Sequence, residues 1–129
     1  VIALHECGHA IVGLISKLPV TEVVLAERTG ATRVEGDRKH IPPGLLSLLY
    51  AGYCAEIEFG IQPREAIVGA LVDMQQAYLF FPGHNPSIEL AKTGSLVTYH
   101  RQAIHRASIE LMAKRKLYRD DLLRLMDAA

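Results

Sequence analysis

The chain has 129 residues, half of them hydrophobic and 22% charged, the balance of one folded domain with a buried core rather than of a disordered segment. Fourteen basic residues offset fourteen acidic ones, which argues against nucleic acid as a partner. No apolar run approaches the roughly 18 residues of a membrane span and no signal peptide is visible, so the chain reads as soluble.

In chain order, Val1 to about Leu18 is apolar on most faces and predicts a buried helix that Pro19 stops. Nothing before His5 reads as a helix start, which predicts a segment upstream of Val1. Val20 to Glu27 is β-branched and partly alternating, Thr29-Gly30 signals a turn, and Ala31 to Glu35 returns as a second strand. Gly36 to Gly44 is a loop. Leu45 to Phe59 predicts a second helix, ended by Gly60. A third runs from Arg64 or Gly69 to Phe81, where Pro82-Gly83-His84-Asn85-Pro86 breaks it. Asn85 caps a fourth helix with Pro86 at its first position; that helix is expected to reach about Lys116, with Gly94 as its weak point. A short amphipathic helix from about Asp120 to Met126 follows. The expectation is a single domain over 1–129 that is mainly α: a first helix at about 1–18, one small β-hairpin at about 20–36, and a helical bundle at about 44–129.

The chemistry begins at "LHECGHA" (Leu4 to Ala10). Positions i and i+4 of a helix share one face, so His5 and His9 can direct imidazole nitrogens at a single metal. Glu6 lies about 100° round from His5, where it can reach an activated water without coordinating the metal and act as general base and acid. The bland alternative, two core histidines beside a buried glutamate, leaves that glutamate in need of a partner. Gly8 and Ala10 are small and invite close packing. A catalytic zinc keeps three protein ligands and an open position. Asp37, His40, Glu56, Glu58, Asp73 and His84 are all candidates for the third, and spacing does not choose among them.

Three ordered stretches carry a resemblance. "IALHECGHAIVGLI" (Ile2 to Ile15) resembles the metal helix of the FtsH family of ATP-dependent zinc proteases. "LLYAGYCAEIEFG" (Leu48 to Gly60) resembles that family's small-residue helix, and "VGALVDMQQA" (Val68 to Ala77) its Gly-Ala-x-x-Asp segment. The resemblance implies a zincin-like peptidase domain in which His5, His9 and Asp73 bind one Zn2+ and Glu6 is catalytic. It implies that Glu56 supports the site rather than binding metal. It also implies polypeptide substrates, an AAA+ ATPase upstream or on another chain, and a ring of six copies. Leu71-Val72 replace the polar pair that commonly precedes the aspartate, the Glu56–Phe59 segment is one residue shorter than the family's, and after Pro82 only the order of helices is shared. No G-x-x-x-x-G-K-[ST] phosphate loop is present.

The expected function is therefore zinc-dependent peptide hydrolysis, with an extended substrate lying on the edge of the Val20–Glu27 strand. The alternative is a catalytically inactive scaffold or oligomerisation module. A cytoplasmic setting is expected, at a membrane if a transmembrane segment lies upstream. The two cysteines, Cys7 and Cys54, read as buried and unpaired, which fits a reducing compartment. The Lys114-Arg115-Lys116 run reads as a helix C-terminus. His100 and His105 stand about 140° apart on a helix and do not converge. His84 reads as an exposed loop residue, and Tyr50 and Tyr53 as packing.

Overall fold

The computed structural model describes residues 1–36 and 41–127. Helix α1 (Ile2–Ile15) ends before Pro19 is reached. Lys17 adopts a left-handed conformation with φ 64°, and the Lys17 and Leu18 N–H groups donate back to the Leu14 and Gly13 carbonyls at 3.0 and 2.9 Å. This closure satisfies carbonyls that the helix end would otherwise orphan, and it turns Leu18 into the core. Pro19 then leads into β1 (Val20–Leu25), which pairs antiparallel with β2 (Gly30–Val34). Val23 stands opposite Thr32 and Leu25 opposite Gly30, with a register slip between Val20 and Glu22.

Helix α2 (Gly44–Glu58) is the central element. Its small residues Ala51 and Ala55 meet Gly8 of α1, where an added Cβ would lie 2.7 Å from the Ala55 Cβ and 2.8 Å from the Ala51 carbonyl oxygen. Only glycine allows α1 and α2 to approach this closely, as the small residues around His9 led one to expect. Helix α3 (Pro63–Phe80) starts with proline at its first turn and packs on α2 through Ala66, Ala70 and Ala77. Its outer face leaves Val68, Leu71, Val72 and Leu79 exposed. Helix α4 (Pro86–Tyr99) starts as expected, with the Asn85 side chain accepting from the Ser87 and Ile88 N–H groups at 3.0 and 3.3 Å.

The single long fourth helix expected from the sequence is two. The break falls at His100, between α4 and α5 (Arg101–Lys114), while Gly94 sits inside regular helix. The two halves serve different main partners: α4 lies chiefly on α2 and α5 chiefly on α1.

Arg115, with φ 68°, ends α5 and turns the chain into β3 (Lys116–Tyr118), which leads directly into α6 (Arg119–Asp127). The basic run is thus a helix C-terminus, but it is also the entry to a third strand that the two-stranded expectation omits. β3 pairs antiparallel with β1, Leu117 opposite Val23, so the sheet order is β2-β1-β3. Both Leu117 and Val23 are fully buried, so one inward leucine secures a strand too short for periodicity to reveal. The order also corrects the expected substrate edge. β1 is the middle strand with a neighbour on each side, so it has no edge to offer a peptide; among the described residues the free edges belong to β2 and β3. Among the described residues, no helix is long and apolar enough to cross a membrane.

Candidate metal centre

His5 and His9 project from one face of α1 toward α2, as their four-residue spacing requires. Each ring is fixed through Nδ1. The His5 Nδ1–H donates to Glu56 Oε2 at 2.8 Å, and the His9 Nδ1–H donates to the Leu48 carbonyl at 2.6 Å. Both partners are on α2 and both are acceptors, so in the neutral imidazoles the Nε2 lone pairs are left facing inward. They meet Asp73 of α3. His5 Nε2, His9 Nε2 and Asp73 Oδ2 lie 3.0 Å from one another in all three pairs.

Three acceptor atoms do not converge at that distance without a positive charge to share. Either protons or a cation must supply it. A tetrahedral zinc bound at 2.0–2.1 Å sets neighbouring ligand atoms roughly 3.3 Å apart, so the donor set fits with side-chain adjustments of a few tenths of an ångström. Both histidines are buried and Asp73 is half-buried.

Four of the six candidates for the third position lie among the described residues, and these separate cleanly. Asp73 joins the two histidines and is the one acidic residue that does so among the described residues. Glu56 is buried behind His5, on the opposite ring nitrogen, where it orients the imidazole as an outer partner does. Glu58 accepts from the Thr98 hydroxyl, between α2 and α4. His84, expected to be exposed, is instead tied by Nε2 to the Tyr50 hydroxyl at 2.7 Å and by Nδ1 to the Phe81 carbonyl at 2.8 Å. That clasp holds the loop before α4 against α2. Asp37 and His40 lie outside the described residues. His100 and His105 rest against Tyr99 and Phe59 respectively and take no part.

Glu6 sits beside the group without joining it. Its Oε1 is 2.9 Å from the Thr32 hydroxyl of β2. Sequence reasoning missed three participants. The Leu48 carbonyl carries no side-chain signature at all. Thr32 is the single threonine of a short strand and carries no motif. Gly52 lines the His5 ring and did leave a signal, as a helix-weakening residue in the middle of a helix. Cys7, next to Glu6, is not a competing nucleophile: burial pushes its thiol, like that of Cys54, up to about 12.

The site is strongly coupled to protons. Burial acts to lower the His5 pKa, but the hydrogen bonds to Asp73 and Glu56 outweigh it and raise the group from 6.5 to about 8. Burial likewise acts to raise Asp73, and its hydrogen bonds with His5 and His9 outweigh that and hold the carboxyl well below the usual carboxylate range. A raised folded-state histidine stabilises fully below the unfolded value and loses that contribution as pH climbs through the folded one. Chelator-treated protein is therefore expected to lose thermal stability as pH rises from 6.5 to about 8. Asp73 adds the opposite limb, with stability lost as pH falls through its depressed value. A metal bound there would displace the same proton, so zinc affinity is expected to rise across the upper window. Thermal melts with and without zinc measure both; a flat metal-free profile from pH 6 to 8.5 would contradict the assignment.

No family model matches the chain, and no curated protein matches it.

Proposed function

We propose that the chain is a zinc-dependent metalloendopeptidase domain, of zincin-like fold and of the FtsH type that its three motifs resemble. One observation carries the reading: two imidazole Nε2 atoms and a carboxylate oxygen, mutually 3.0 Å apart, with a glutamate on the same helix held just outside them. His5, His9 and Asp73 would hold the ion. Zinc, when bound, supplies a Lewis acid that polarises the scissile carbonyl and acidifies water. Glu6 takes a proton from the attacking water on its carboxylate and returns one to the leaving amine. Glu56 and the Leu48 carbonyl keep both imidazoles in the tautomer that presents Nε2. The extended substrate adds to the outer edge of β2, the strand that touches Glu6, rather than to β1.

The same resemblance supplies the wider proposal of polypeptide substrates delivered by an AAA+ ATPase and a ring of six copies. The two unpaired, buried cysteines suit a cytoplasmic, reducing setting. A second reading, a catalytically silent oligomerisation module, draws on α3, whose Val68, Leu71, Val72 and Leu79 face outward without cover in the single chain.

Metal analysis of the purified chain beside Asp73→Ala tests the first reading. The wild type is expected to carry about one zinc per chain. The variant is expected to bind zinc more than about 100-fold more weakly, since even outer-sphere changes cost 10–100-fold. Equal zinc affinity in both proteins would remove the basis of the proposal. Cleavage of fluorescently labelled casein by the zinc-loaded wild type separates peptidase from silent module.

A further inference from the structure

Thr32 and Gly30 of β2 stand over Glu6, and neither has a role in the metal group itself. The Thr32 Oγ1 lies 2.9 Å from Glu6 Oε1 and 2.9 Å from the Glu6 backbone carbonyl oxygen. A hydroxyl has one proton to donate. Both acceptors belong to the same residue, so either donation ties Glu6 to the strand. Gly30 closes the other side: a Cβ there would lie 2.8 Å from Glu6 Cγ and 3.1 Å from the Val24 carbonyl oxygen. Thr32 is itself held in register, opposite the fully buried Val23 of the middle strand, and its β-branch restricts χ1.

We propose that Thr32 is the positioning residue for Glu6, holding the carboxylate at the strand side of the metal group so that it works as a base instead of coordinating as a fourth ligand. The inference rests on the peptidase reading. Its chemistry follows from the neighbours. Glu6 directly succeeds His5 in sequence, and carboxylate oxygens are themselves zinc ligands. A glutamate free to turn would fill the open position that a substrate carbonyl or an attacking water needs. Among the described residues the Thr32 hydroxyl is the hydrogen-bond partner of the Glu6 carboxylate, and the missing side chain at Gly30 leaves room for that carboxylate.

The test uses the zinc-loaded chain. Thr32→Val is expected to keep its zinc and its fold while kcat for labelled casein falls about 10- to 100-fold, the loss of one hydrogen bond to a charged group, with KM little changed. Thr32→Ser, which restores the hydroxyl, is expected to return to within about threefold of wild type. A binding measurement then asks whether Thr32 acts through Glu6. Calorimetric titration with a peptide hydroxamate is expected to show weaker binding on Thr32→Val in the wild-type background and no further change when Glu6 is already alanine. Thr32→Ala serves in place of the valine variant should the latter not fold. A wild-type kcat in Thr32→Val, a serine variant as impaired as the valine one, or an equal hydroxamate penalty in both backgrounds would each overturn the inference alone. Wild-type protein that neither binds zinc nor cleaves casein would overturn the peptidase reading and this inference with it.

Discussion

Glu6→Gln is expected to leave zinc content unchanged and to lower peptide cleavage by about 100- to 10,000-fold, the range spanned by removal of a positioned general base. The two halves of that result come from separate parts of the structure. The metal group is complete without Glu6, because His5, His9 and Asp73 make their contacts with α2 and with one another. Glu6 instead makes its side-chain bond to β2. Glutamine keeps the size of the side chain and an acceptor for Thr32, but it cannot take up a proton at neutral pH. Zinc measured by mass spectrometry and casein cleavage measured on the same preparation give the answer. Cleavage within a factor of about ten of wild type would fall below the usual contribution of a general base and assign that role elsewhere.

The second large effect is expected from the least conspicuous residue at the centre. Gly52→Ala places a methyl group 2.5 Å from both Cε1 and Nε2 of His5. No side chain tolerates that distance, so the imidazole must move, and its Nδ1 bond to the buried Glu56 moves with it. Zinc affinity is expected to fall by at least the 10–100-fold seen when an outer partner is removed. The helix itself gains, since alanine is favoured over glycine by about 1 kcal/mol in a helix interior. A folded protein with crippled zinc binding is therefore the expected pair of observations, read by circular dichroism and zinc titration. Undiminished affinity would mean that His5 has a second rotamer equally able to bind.

The parts of this arrangement that were legible in the sequence are those with local rules. Helical spacing alone put His5 and His9 on one face, and Asn85-Pro86 announced its helix through cap chemistry that needs no tertiary contact. Asp73 was different in kind. Its distance from His9 in the chain carries no periodicity, and only the likeness of a short segment to a known family singled it out from five rivals. The structure brings it to both histidines and turns Glu56 to the back of the ring. What stayed hidden was set by tertiary demand. Periodicity reads through His100 as continuous helix, because the break there answers to the different partners of α4 and α5. The third strand, three residues long, exists because Leu117 fills a place opposite Val23 that no local pattern could foresee.

That third strand also sets an order of events. Helix α1 precedes the sheet in the chain, yet the middle strand that steadies β2, and through it Thr32, is paired on its second side only by residues 116–118. Contacts so far apart in sequence close a long loop, which slows their formation. During vectorial synthesis the histidines can meet α2 and α3 well before the sheet is finished. The His5–His9–Asp73 group can therefore assemble ahead of the completed sheet that holds Glu6 in place.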